Sequence, residues 1–238
     1  MRGPHNIFRL IRTGATLERT GAMNVILDAY NAPWGVRLGA KVLGWPFQWL
    51  GYKGDTTMPP ATRALTALGP AYIKFGQILS TRPDVVGEEL AVQMRVLQDK
   101  LPPFPMADAK QMIEAELEQP LEGLFSEFSE PVAAASIAQV HRGKLISDGS
   151  NVAVKVLRPG IEKAFRRDID AFYFAARMIE TLAPSARRLR PLDVIAHFEG
   201  VVMGELDLRL ESSAAGEFAA NTEADLGFQL PKVNWNSS

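Results

Sequence analysis

From residue 61 to about 119 the apolar positions recur every three or four residues; from 124 the spacing shortens to two. The first spacing predicts helices over about 61–80, 86–98 and 106–119. Proline marks each boundary, at Arg82-Pro83, in "LPPFP" and at Gln119-Pro120, because a proline cannot continue a helix interior. Upstream, helical patterns over about 5–30 and 36–52 flank Asn31-Ala32-Pro33, and "GYKGDTTMPP" (51–60) reads as a linker. Downstream, alternation in "LFSEF" (124–128), "SIAQVHRGKLI" (136–146) and "NVAVKVLR" (151–158) predicts three strands. The last two are joined by "SDGS", a hairpin-type turn with Asp-Gly. A helix over about 161–182, a Pro- and Arg-rich break (184–191) and a longer helix over about 192–223 follow. The pattern is that of an α+β protein in three zones: 1–60, 61–123 and 124–238.

Composition narrows the function classes. Hydrophobic residues make up 47% of the 238, enough for a real core, and the formal net charge of −1 gives no global basic field for nucleic acid. The chain has no cysteine, which removes disulfides, zinc–thiolate sites and thiol nucleophiles together and fits a cytoplasmic setting. No stretch approaches the roughly 20 apolar residues that a membrane span needs. The N-terminus carries no signal-peptide pattern. Residues 1–60 do, however, hold seven Lys/Arg against three acids, together with Trp34, Trp45 and Trp49. With Phe47 and Tyr52 these fit a peripheral membrane segment over residues 1–55, rings at headgroup depth and cations toward anionic lipid. Packing of the same rings on the helices that follow is the alternative.

Three stretches hold residues that helix and strand packing leave unexplained. In "NVAVKVL", Lys155 shares a strand face with Ala153, opposite Val152, Val154 and Val156. A small residue that admits an adenine ring beside an ammonium that reaches phosphates suits a nucleotide site, although an edge-strand lysine in water has the same pattern. About twenty residues earlier, Ala133, Ala134, Ala135 and Ser136 occupy the place of a glycine-rich phosphate loop. Alanine resists positive φ, so this loop is expected to be stiffer. In "MGELDLRLES", Asp207 and Glu211 are spaced i, i+4, whereas Glu205 lies roughly 200° around an ideal helix from Asp207. Glu205 and Asp207 converge only if the helix is distorted or starts near Gly204; a solvated acidic face with a Glu205–Arg209 pair is the bland reading. Finally, "LGPAYIKFGQILS" interrupts an amphipathic helix with Lys74, Gly76 and Gln77. Lys74 and Gln77 project from one side, and Gly76 removes a side chain where another backbone or a ligand comes close.

In that order and spacing, over residues 60–230, these motifs resemble the UbiB family of atypical protein-kinase-like proteins tied to ubiquinone (coenzyme Q) biosynthesis. Lys74, Gly76 and Gln77 match its K-x-G-Q motif and "AAAS" its alanine-rich loop. Lys155 matches the nucleotide-binding lysine, Glu205 and Asp207 the E-x-D motif, and Glu211 the glutamate of the αC-type helix. The resemblance implies a kinase-like N-lobe, a small antiparallel sheet plus that helix, with an N-terminal helical extension over the nucleotide cleft. It implies that Lys155 pairs with Glu211 and that Lys74 reaches toward the nucleotide site and the E-x-D acids, with Lys74, Gln77, Glu205 and Asp207 as the catalytic parts. Ala133–Ser136, Ala153, Lys155 and Glu211 then hold the ATP or ADP. Expected partners are nucleotide, lipid or ubiquinone precursors and biosynthetic proteins at the inner membrane, with no nucleic acid; protein phosphorylation is not expected. A non-catalytic pseudokinase scaffold is the competing function.

Neither an H-x-D-x-x-x-x-N loop nor a D-F-G-type metal ligand occurs in these 238 residues. The resemblance therefore implies a chain ending before its second lobe, with the Mg²⁺ ligands beyond it, an exposed cleft floor and no ATP turnover alone. The three histidines, His5, His141 and His197, are too scattered for a metal site. His141 reads as a structural or solvent-facing residue.

Overall fold

The computed structural model describes residues 5–97, 103–182, 184–223, 225, 227 and 230–235. Its elements in chain order are α1 (His5–Thr20), α2 (Ala22–Ala29), α3 (Trp34–Gly44), a 3₁₀ segment (Trp45–Leu50), α4 (Pro60–Leu68), α5 (Pro70–Ser80), α6 (Pro83–Val86), α7 (Glu88–Arg95), α8 (Met106–Leu117) and α9 (Leu121–Leu124). Then come β1 (Phe125–Phe128), β2 (Ala133–Ala134), β3 (Ala138–Leu145), β4 (Asn151–Leu157), α10 (Ile161–Leu182), a second 3₁₀ segment (Pro184–Leu189), α11 (Pro191–Leu206) and α12 (Leu208–Asn221). The chain folds as two compact units: residues 1–100 with 163–198, and residues 101–162 with 199–238.

Several expected helices are divided. The 5–30 pattern breaks at Gly21, the 61–80 pattern at Gly69 and the 86–98 pattern at Gly87, while 36–52 ends in the 3₁₀ segment. At Gly69 φ is +113°, which an L side chain rarely adopts, and Pro70 then supplies the first residue of α5. Gln98 and the start of "LPPFP" lie outside the described residues.

The first unit is helical, and an aromatic cluster organises it. Phe165, Ile169, Phe172 and Ala176 recur at helical spacing on α10 and are all buried. Phe172 meets Tyr72 of α5 edge-on at 4.8 Å and Phe75 at 5.2 Å, and Phe75 meets Phe198 of α11 at 5.2 Å. Burial of one such ring stabilises by about 2–3 kcal/mol, and Ala71 and Ile73 of α5 are buried beside them. α1 joins through an Arg9–Asp168 ion pair and a 2.7 Å hydrogen bond between Thr13 and Tyr72. Burial still pushes the Asp168 carboxyl above its usual range, outweighing the pull of Arg9.

The second unit is built on an antiparallel sheet with β3 at its centre. β4 runs along one edge of β3, while β1 and β2 pair with different parts of β3, so both share its other edge. Val152, Val154 and Val156 face a core made by Phe125, Leu145 and Ile113 of α8. Gly143 is required there: a Cβ would stand 2.7 Å from the Phe125 ring. His141 is fully buried on the same sheet face. It stacks on Phe128 at 4.8 Å, bonds the Ser129 carbonyl through Nδ1 at 2.8 Å and meets the Gln139 amide through Nε2 at 3.0 Å. It is a structural histidine.

Candidate functional site

The face of the sheet away from the valine core carries the residues that the sequence singles out. Across it, Ala133 pairs with Val140 and Val140 with Lys155, so these three form one row; Ala153 lies beside Lys155, opposite Arg142. Directly opposed antiparallel residues share a face, and Ala133, Ala153 and Lys155 are all exposed. Lys155 Nζ donates to Glu211 Oε2 at 2.5 Å, across 56 residues of sequence. Glu211 stands in the first turn of α12, where a carboxylate also complements the positive end of the helix dipole.

The alanine-rich stretch is more ordered than a plain turn. Ala133 and Ala134 form β2, and the Ala135 N–H donates to the Ala138 carbonyl at 2.8 Å, closing a tight reversal. β3 accordingly begins at Ala138 rather than Ser136. None of these alanines takes a positive φ. Ser136 is buried, whereas Ala133 is open to solvent. Arg158, just beyond β4, fastens the reversal: its Nε and Nη2 donate to the Ala135 carbonyl at 3.1 and 3.0 Å, and its backbone N–H donates to Ile137 O at 2.8 Å. The guanidinium lies 5.7 Å from the Phe104 ring centroid, and burial lowers its pKa. No motif flagged Arg158; its place three residues past Lys155, at a strand end facing the loop, was the available signal.

The E-x-D segment departs from the expected single helix over 192–223. The helix stops at Leu206, and Asp207, at φ −92° and ψ 93°, caps the next one. Its carboxylate accepts from the Arg209 backbone N–H at 3.1 Å and from Arg209 Nε at 3.0 Å. The Arg209 hydrogen bond holds the Asp207 carboxyl below its usual range. The distortion that Glu205 and Asp207 required is therefore present, at Asp207 itself and not near Gly204. It also removes the expected i, i+4 relations, since Asp207 precedes the helix that carries Glu211, and Arg209 pairs with Asp207. Serving as an N-cap is what an aspartate does better than continuing a helix.

The K-x-G-Q residues lie in the first unit, on α5. A Cβ on Gly76 would come within 2.5 Å of Leu97 Cδ1 and 2.6 Å of Leu65 Cδ1, so the close neighbours there are side chains, from α4 and from the segment after α7, and not another backbone. Gln77 Nε2 donates to the Leu97 carbonyl at 3.1 Å. Lys74 is half-buried. Lys155, Glu205, Asp207 and Glu211 belong to the other unit.

Residues 96–238 match the ABC1 atypical kinase-like domain, more than half of the chain. The chain belongs to that family. It is similar to the probable protein kinase UbiB of Pseudomonas paraeruginosa, 40% identical over 231 residues that cover 96% of this chain and 43% of the relative. It is also similar to UbiB of Marinobacter nauticus, 42% identical over 174 residues (73% of this chain, 32% of the relative), and of Shewanella baltica, 39% over 221 residues (92% and 38%). The UbiB resemblance carried by the motifs and the α+β kinase-like fold thus stand. The chain spans less than half the length of these curated relatives.

A kinase-like family implies ATP with Mg²⁺. The nucleotide half of that pair fits this sheet: an exposed cation fixed by a carboxylate, a flanking alanine that leaves room, and a pinned loop of small residues beside them. For Mg²⁺ the fit is not found, because among the described residues no group of three or more His, Asp or Glu comes together.

Proposed function

We propose that this chain binds ATP or ADP on the exposed face of its sheet, as part of an atypical kinase-like ATPase or small-molecule kinase that supports ubiquinone biosynthesis. The observation that carries the reading is the Lys155–Glu211 ion pair on the face shared by Ala133 and Ala153. Glu211 orients the lysine, whose ammonium meets the α- and β-phosphates, Ala153 leaves space for the adenine, and the Ala133–Ser136 reversal covers the phosphates. Lys74 and Gln77, with Glu205 and Asp207, are assigned to the transferring phosphoryl group by their match to the family motifs. The substrate class is a lipid-linked quinone precursor, handled with biosynthetic partners at the cytoplasmic side of the inner membrane.

Thermal unfolding of the chain with ATP and ADP, with and without Mg²⁺, tests the binding step. A saturating nucleotide raises the unfolding temperature, since a ligand bound only by the folded state stabilises it. Lys155→Met and Glu211→Gln are expected to weaken that shift by about tenfold in apparent affinity, the scale for losing one charge-assisted contact. A wild-type chain that ignores nucleotide, as a pure scaffold would, overturns the reading.

A further inference from the structure

Trp34, Trp45 and Trp49 are 79%, 73% and 75% exposed, the highest values among the exposed large apolar side chains described. At 100° per residue, Trp34, Leu38, Lys41, Val42 and Trp45 fall within a sector of about 100° on α3 and its C-terminal cap. Leu38 and Val42 are exposed too. An apolar stripe of this width normally turns inward; here it faces solvent, with Lys41 along one edge.

We propose that this stripe, continued by Trp49, docks on an anionic lipid bilayer surface. The inference deepens the membrane-side placement proposed above and rests on it. Two observations favour lipid over a protein partner, and the place of the lysine fits it. Tryptophan is the residue whose large apolar body and N–H suit the headgroup boundary. Lys41, along the edge of the stripe, suits the interface plane, where its ammonium reaches lipid phosphate while its stem stays apolar. Charge is also segregated: residues 1–60 carry seven cations and three acids, a local +4, while the whole chain carries −1. A second copy of the chain would oppose like charge with like.

The stripe is presented from a held element. Arg19 Nη1 donates to the Gly51 carbonyl at 2.7 Å, and the Tyr52 N–H donates to Thr16 Oγ1 at 3.1 Å, tying the end of the 3₁₀ segment to α1. Arg37 donates to the Ala32 carbonyl at 2.8 Å and to Leu27 O at 3.1 Å, fixing the start of α3. Arg37 is thereby committed, which leaves the exposed Lys41 as the cation of the stripe.

Vesicles of phosphatidylcholine, with and without phosphatidylglycerol, test this by co-sedimentation and tryptophan emission. The chain is expected to sediment with the anionic vesicles, with a blue-shifted emission and a partition that falls as salt rises. The Trp34→Ser/Trp45→Ser double variant is expected to partition at least about tenfold more weakly, given the apolar area removed. Lys41→Glu is expected to lose the preference for phosphatidylglycerol; these side chains are exposed, so unchanged melting confirms intact folding. Equal binding by wild type and the double variant overturns the stripe but leaves the membrane-side placement standing. A wild type that binds neither vesicle overturns both. A dimer abolished by Trp45→Ser, without vesicle binding, assigns the face to a second copy and overturns the proposal.

Discussion

Tyr72 is 7% exposed, and its hydroxyl is bonded to Thr13 inside the aromatic cluster that seats α5. Burial pushes its pKa up to about 12, the Thr13 bond only partly offsetting the loss of water. An unfolded chain loses this proton near the ordinary value of about 10, so between the two values the unfolded state binds fewer protons. The stabilising contribution is therefore complete below about pH 10 and is lost as pH rises toward about 12, roughly 3 kcal/mol over two pKa units. Tyr72→Phe keeps the ring and removes the proton. Its unfolding temperature is expected to decline less than wild type between pH 10 and 12 in parallel melts, and identical slopes would refute the assignment. Gly76 belongs to the same packing, since Leu65 and Leu97 occupy the space of its missing side chain. Helix packing thus accounts for one of the three interruptions in α5, where a ligand or backbone approach was expected.

Among elements, the sheet was the most legible. Alternation in "NVAVKVL" put Lys155 and Ala153 on one face and three valines on the other, and the register of β3 and β4 agrees. Period-2 patterning survives because one face must be buried, so a slip of one residue would expose every valine. Helix ends were less legible. The breaks at Gly21 and Asp207 sit inside continuous apolar patterns, and there backbone geometry or a cap overrides the pattern. Gly69-Pro70 was a signal that periodicity masked. Arg158 was harder to read, because its role depends on a reversal that strand alternation does not announce; only the folded hairpin brings the Ala135 carbonyl to it. Arg158→Met removes both side-chain bonds to that carbonyl. Amide exchange at Ala135 and at residue 158 is then expected to accelerate about fivefold while the Val152–Val156 core stays protected, one net hydrogen bond being worth about 1 kcal/mol. If nucleotide binding depends on this reversal, affinity falls with it, and Arg158→Lys, a single-pronged donor, recovers part of both. Unchanged exchange at those amides would rule out the clamp.

For the whole molecule, the proposed activity joins residues that belong to different compact units: Lys74 and Gln77 in one, Glu205, Asp207, Lys155 and Glu211 in the other. Each set also has local work. Gln77 bonds Leu97, and Asp207 caps α12 while pairing with Arg209. Single substitutions therefore mix local stability with any shared role, and they do not separate the two. Energetic coupling does. Residues without a shared partner contribute additively to within about 0.5 kcal/mol, whereas members of one charge network couple by about 0.5–3 kcal/mol. Nucleotide affinity of Lys74→Ala, Asp207→Asn and the double variant closes such a cycle, and reading affinity instead of melting removes the capping effect from the comparison. A coupling of about 1 kcal/mol or more is expected if the ammonium of Lys74 serves the nucleotide site beside Asp207. Additive effects would leave Lys74 as a residue of the α5 packing alone and withdraw it from the proposed chemistry, with Lys155 and Glu211 untouched by that result.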